Sequence, residues 1–208
     1  MTPSIACDAS DSRSEETNIQ RCNKTHDKAY LRSTLLKMRK SIQEDQRRSL
    51  STTIGEYVIN WAKTLAEDNP KIVIGVYWPI RNEPDLCTAY DTLIAQGIGL
   101  ALPVVVDKDA ALRFVQWIPG DALTKDGFGI TIPVNGAVVS PRILLIPCVG
   151  FNRQRLRLGY GGGFYDRTLA IGHRPITVGI SYANGLVNFE GAAHDIALDL
   201  LFTETGYV

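Results

Sequence analysis

The chain has no excess of charge of either sign: 22 lysines and arginines face 22 aspartates and glutamates. A nucleic-acid binder usually carries a basic surplus, so no nucleic-acid partner is implied, although a local basic cluster can still hold a small phosphorylated ligand. Long apolar runs are missing as well. None approaches the roughly 20 residues that a membrane-spanning helix needs, and the expectation is a protein without a membrane partner. Cysteine is scarce, and Cys7, Cys22, Cys87 and Cys148 form no Cys-x-x-Cys pair, which leaves neither zinc spacing nor a redox motif. With 45% hydrophobic residues the chain has no need of a disulfide framework. Reduced thiols in a cytoplasmic protein are the simplest reading. The three histidines, His26, His173 and His194, show no metal spacing, and no Ser-His-Asp pattern has local support, so no nucleophile is assigned.

Residues 1–27 are rich in Ser, Thr, Asp and Glu, and their few apolar residues are scattered. They lack the apolar core of a signal peptide, and Asp8, Asp11, Glu15 and Glu16 argue against an acid-poor transit peptide. The expectation is a disordered tail over residues 1–27, followed by one folded domain over residues 28–208.

Asp27 is placed to cap a helix whose Leu31, Leu35, Met38 and Ile42 recur at helical spacing. Lys28 and Arg32 then share one face. A second helix fits Leu50, Ile54, Val58, Trp61 and Leu65, and Asn69-Pro70 breaks it. The apolar run at residues 71–78 reads as a buried strand. Pro84 suits the first position of the next helix, whose inner face is Leu86, Tyr90, Leu93 and Ile94 and which closes at Gly97 before another strand. Further strands fit residues 112–117, 142–147, 176–182 and 197–204, with a glycine-containing loop at residues 126–133. Alternating strands and helices predict a three-layer α/β domain with a mostly parallel central sheet.

The most informative segment runs from Arg157 to Asp166, Arg-Leu-Gly-Tyr-Gly-Gly-Gly-Phe-Tyr-Asp. Glycines let backbone approach a ligand closely, and a helix opening at the end of the run would favour an anion. Flanking arginines add charge-assisted bonds, and Asp166 could hold a metal that bridges phosphates. The alternative is a tight turn between strand and helix. A Walker loop is ruled out because the segment has no lysine, and the dinucleotide fingerprint fails at Phe164. Lys28 and Arg32 either reach phosphates or form a solvated helix face. Glu83, at the carboxyl end of a strand, either binds an aminopyrimidine-like ring or complements a helix dipole. Tyr77, Trp78, Trp117 and Phe128 are stacking partners or packing.

Taken together, Lys28-x-x-x-Arg32, YWPIRNEPD, LPVV, RF-x-x-W-x-PGD, FGI-x-x-P, RLGYGGGFYDR and HD-x-x-L-D resemble, in this order, the 5-formyltetrahydrofolate cyclo-ligase family over roughly residues 28 to 204. The resemblance implies conversion of 5-formyltetrahydrofolate and ATP, with Mg²⁺, into 5,10-methenyltetrahydrofolate, ADP and phosphate. It implies nucleotide contacts from Lys28, Arg32, Arg157, Leu158, Gly159, Tyr160, Gly161, Gly162, Gly163, Phe164 and Tyr165, with Lys28 and Arg157 as the catalytic cations. It implies folate contacts from Trp78, Glu83 and Phe128 together with residues 160–164, and metal contacts from Asp166 and Asp195. Some members carry a lysine where this chain has Gly162, so phosphate charge here falls to Lys28, Arg32, Arg157 and the metal. A monomer is expected, with a dimer as the alternative. Two rival readings are a sugar-phosphate isomerase, which needs no ATP, and a non-catalytic folate- or nucleotide-binding module.

Overall fold

In the computed structural model, residues 27–127, 129–172, 174–192 and 194–207 are described, with the backbone alone for Asp68. The expected tail, apart from Asp27, lies outside these residues, as does Phe128. Helix α1 (Lys28–Ser41) opens as read, with the Asp27 carboxylate accepting the Ala29 N–H at 2.8 Å. Leu31 and Leu35 face inward, but Met38 does not: it is 42% exposed, and Arg39 is buried in its stead. The inner stripe continues through an arginine because buried carbonyl oxygens meet its guanidinium, as described below.

Helix α2 (Glu44–Asp68) buries Ile54, Val58 and Ala62. Strand β1 (Val73–Gly75) is shorter than the apolar run, although the Val76 N–H still donates to the Ala101 oxygen at 2.8 Å. Helix α3 (Cys87–Ala95) starts three residues after Pro84, not at it. Residues 84 and 85 are tied elsewhere: the Tyr77 hydroxyl donates to the Pro84 oxygen at 2.6 Å, and the Asp85 N–H to Ser51 Oγ at 3.0 Å. The Asp85 carboxylate then accepts the Cys87 N–H at the true start. Next come β2 (Gly99–Val104), β3 (Arg113–Trp117), β4 (Leu123–Lys125), β5 (Thr131–Pro133), β6 (Val138–Val139) and β7 (Ile143–Pro147). The region read as a glycine loop is thus part of a hairpin, β4 with β5. A second hairpin, β8 (Gly150–Phe151) with β9 (Arg157–Leu158), leads into α4 (Phe164–Leu169). Strands β10 (Ile176–Ile180), β11 (Leu200–Thr203) and β12 (Gly206–Tyr207) complete the chain, so β11 is followed by one more short strand.

The main sheet has the order β12-β11-β10-β7-β1-β2-β3-β6. The strands from β11 to β2 run parallel, and the outer pairs are antiparallel. Alternation within β7 shows the three layers. Ile143 and Leu145 pack with Ile54, Val58, Tyr90 and Leu93 of α2 and α3, whereas Leu144 and Ile146 pack with Leu169 of α4 on the opposite face. Helix α1 lies apart, its Leu31 and Leu35 against Val149, Leu158 and Phe189.

Order matters more than layering for the site. From β1 the chain moves to β2 on one side, and from β7 it moves to β10 and β11 on the other. The boundary between β1 and β7 is therefore a topological switch point, and the crevice at the carboxyl ends of these strands is where open α/β sheets bind ligands.

Candidate active site

A cavity of about 420 Å³ opens at that crevice. Its walls bring together Lys28 and Arg32 from α1, Ile80 from the loop after β1, the whole run from Arg157 to Asp166, and Asp195. Residues distant in sequence and singled out for phosphate or metal thus share one space, whereas the folate candidates Trp78 and Glu83 do not line it.

The glycine run needs its glycines. Gly161 and Gly163 have φ of 94° and 67°, a region that L side chains avoid. A Cβ at Gly163 would lie 2.7 Å from the Arg167 guanidinium. The loop is held by its carbonyl oxygens: Arg32 Nε donates to Gly159 O at 2.7 Å, and Arg167 Nη2 to Gly162 O at 2.9 Å. Arg32 is therefore no solvated-face residue but a strut between α1 and the loop.

Two of the cations in the cavity are paired with its two acids. Lys28 Nζ meets Asp195 Oδ2 at 2.5 Å, and Arg157 Nη2 donates to Asp166 Oδ1. Arg157 also gives Nη1 to the Ile196 oxygen at 3.0 Å, and its side chain is only 6% exposed. Burial alone would raise the Asp195 carboxyl, but bonds from Lys28 and from the Ala192 N–H outweigh it and hold the group below its ordinary value. Among the described residues no cluster of three His, Cys, Asp or Glu side chains forms a cage for a metal. Two carboxylates in one cavity do suit Mg²⁺, which takes one or two protein oxygens beside water and substrate phosphates. The fit is to a metal that arrives with a polyphosphate.

Glu83 lies behind this wall. Ile80 to Glu83 form a tight turn: the Glu83 N–H donates to Ile80 O at 2.9 Å, and the Ile80 N–H returns a bond to Glu83 Oε2 at 2.9 Å. Arg81 and Asn82 at its tip have φ of 48° and 58°, the backbone of a type I′ turn. Glu83 is 3% exposed, and its Oε1 has no hydrogen-bond partner among the described residues. Burial pushes its carboxyl up from 4.5 to about 7, against the Ile80 N–H, the Tyr160 hydroxyl, Arg39 and Arg81, which all pull it down. A buried acceptor without a partner among these residues is open to a further donor, and the donor edge of an aminopyrimidine-type ring is one. Because the turn aims the carboxylate, Asn82→Val should cost about 1–2 kcal/mol through its left-handed backbone, whereas Asn82→Gly should leave thermal stability unchanged or higher; paired melts of the two variants check this.

The aromatic candidates are less central. Tyr77 and Trp117 are buried in the core, and Trp78 is half-buried, meeting Trp117 edge to face at 5.8 Å. None of the three lines the cavity. Both described cysteines are free thiols; burial raises buried Cys148 to about 12. Sequence reasoning missed Arg39, which lies beneath the cavity. The signal was its place four residues after Leu35 on the inner stripe of α1.

Comparison with known proteins gives one result throughout. The model of the 5-formyltetrahydrofolate cyclo-ligase family matches residues 24–204. A 5-formyltetrahydrofolate cyclo-ligase of Mycolicibacterium smegmatis is 30% identical over 151 residues, covering 68% of this chain and 74% of that protein. The NMR structure of Aquifex aeolicus 5,10-methenyltetrahydrofolate synthetase superposes with a TM-score of 0.71 at 30% identity, over 86% of this chain and 91% of that one. A 5,10-methenyltetrahydrofolate synthetase from Mycoplasma pneumoniae gives 0.69 at 24% identity, over 86% of this chain and 99% of that one, a likeness of fold. The matched span takes in every residue of the cavity, and this chain belongs to the 5-formyltetrahydrofolate cyclo-ligase family.

Proposed function

We propose that this enzyme converts 5-formyltetrahydrofolate to 5,10-methenyltetrahydrofolate at the expense of ATP, with Mg²⁺, releasing ADP and phosphate. One observation carries the reading: a single cavity at the switch point holds a cation-flanked glycine loop and two acids, and behind its lining residue Ile80 a buried carboxylate, Glu83, accepts the Ile80 N–H with one oxygen and has the other unpartnered among the described residues.

The formyl carbon on N5 is an amide carbon, a poor electrophile bearing a poor leaving group. Accepting the γ-phosphoryl group on the formyl oxygen corrects both defects. N10 then attacks the carbon and loses its proton, and phosphate leaves as the second C–N bond closes the ring. The chain's part is positioning and charge. Lys28 and Arg157 lie where they can exchange their carboxylate partners for phosphate oxygens. Arg32 holds the loop at Gly159. Glu83 anchors the pterin and sets the direction of attack. Mg²⁺, held by Asp166 and Asp195, would supply further positive charge to the phosphates. No side chain acts as a covalent nucleophile.

Near-ultraviolet absorbance of the methenyl product tests the proposal. Product should form only when 5-formyltetrahydrofolate, ATP and Mg²⁺ are all present, and ATP should be consumed only when the folate is present. Binding of both ligands without product would instead favour the non-catalytic module, and turnover of a sugar phosphate without ATP would favour the isomerase.

A further inference from the structure

Arg39 is a buried cation without a counter-ion in contact. It is 3% exposed, yet none of the ion pairs among the described residues includes it. A buried arginine without a carboxylate partner is unusual. Its donors go to oxygen atoms around the site: Nη2 to Cys148 O at 2.5 Å, with Val149 O at 3.4 Å, and Nη1 to the Tyr160 hydroxyl at 3.3 Å. Its guanidinium also lies 5.9 Å from the Tyr182 ring centre. Lys28, Arg32 and Arg39 are separated by four and seven residues, so α1 presents all three along one side. The first two serve the cavity rim, and the third reaches beneath it.

Resting on the folate reading of Glu83, we propose that Arg39 is a positioning residue of the folate site: it holds the Tyr160 hydroxyl and the chain after β7 in place, so that Tyr160 stands against the Glu83 carboxylate that meets the ring. Three elements converge here: α1 through Arg39, the glycine run through Tyr160, and the turn after β1 through Glu83. Tyr160 is fixed from its other side as well, because the Arg81 guanidinium lies 5.0 Å from its ring centre. The groups acting on Glu83 are Arg39, Arg81 and the Tyr160 hydroxyl, which favour its charge, and Tyr77, Tyr165 and Cys148, neutral in the ordinary range because burial raises all three. Arg39 and Arg81 are thus the cations offsetting the burial of this carboxylate. Arg81 is exposed, which leaves its effect open to solvent screening, whereas that of Arg39 is not.

The test is the affinity for 5-formyltetrahydrofolate alone, measured by calorimetry from about pH 5.5 to 9, for the wild type, Glu83→Gln, Arg39→Gln, Arg39→Lys and Tyr160→Phe. Wild-type affinity should fall as Glu83 takes up its proton. Arg39→Gln and Tyr160→Phe should move that midpoint upward by about half a unit or more, so that each binds weakly at pH 7 and recovers at pH 9. Arg39→Lys, which keeps the charge, should fall between Arg39→Gln and the wild type. A uniform loss at every pH with an unmoved midpoint would make Arg39 merely structural and overturn the proposal. Should Arg39→Gln not fold in a thermal melt, Tyr160→Phe and Arg39→Lys decide on the same criterion. Glu83→Gln separates the two readings. If it keeps the wild-type midpoint, the folate role of Glu83 is wrong; if it flattens the profile while the Arg39 and Tyr160 variants match the wild type, only the role of Arg39 is.

Discussion

Arg157→Ala should lower kcat/KM by about 10²–10³-fold, the usual loss when one preorganised donor to a charged transition state is removed. Its effect on folding should be smaller. The alanine leaves Asp166 without its partner, but Asp166 is 30% exposed and regains water, and the Ile196 oxygen loses one bond. About 1 kcal/mol is the expected cost. The reverse truncation inverts the balance. Asp166→Ala strands a guanidinium that is only 6% exposed, and breaking a buried pair in that way costs about 3 kcal/mol. For a domain of this size the melting temperature should fall by about 6–12 °C. The unequal burial of the two partners separates the two variants. Arg157→Lys should be intermediate in turnover, because an ammonium keeps the charge but cannot span Asp166 and Ile196 together. Steady-state kinetics and melts on the three variants check the ordering. Equal losses of activity and stability in Arg157→Ala would reduce Arg157 to a scaffold residue.

What was legible in the sequence was local. The glycine run, with its flanking Arg157 and Asp166, is contiguous, so its chemistry could be read from spacing. Helix α1 could be read from an N-cap and a repeat of leucines. What depended on distant chain could not. The Lys28–Asp195 pair joins residues 167 apart in sequence, and no local pattern predicts it. Two acids read as metal positions turn out to hold two of the three cations read as phosphate binders, Lys28 and Arg157. The start of α3 was misplaced because Pro84 is a good first helical residue in isolation, whereas Tyr77 and Ser51 hold residues 84 and 85 in another path. Arg39 was passed over because a charged residue reads as solvent-facing; carbonyl oxygens after β7 made its burial tolerable. Tertiary hydrogen bonds overrode local preference in both cases.

Glu83→Gln should raise the KM for folate by about 10–100-fold, the worth of one charge-assisted bond of roughly 1.5–3 kcal/mol, and leave the KM for ATP unchanged, since Glu83 does not line the cavity in which the glycine run's cations lie. The same substitution has a signature in stability that needs no ligand. The Glu83 carboxyl sits at about 7 in the folded protein against 4.5 ordinarily, so the folded state binds the proton more tightly than the unfolded state does. Its contribution is therefore fully present below pH 4.5 and is lost as pH rises through 7. The shift corresponds to about 3 kcal/mol across that window. Glu83→Gln removes the titration, so denaturant melts should show the wild type losing stability relative to the variant between pH 4.5 and 7, with the difference constant above. A parallel pair of curves would mean that Glu83 titrates normally and that its orphaned oxygen is open to water. A steep difference in stability together with unchanged folate KM would leave the buried carboxylate real but give the pterin another anchor.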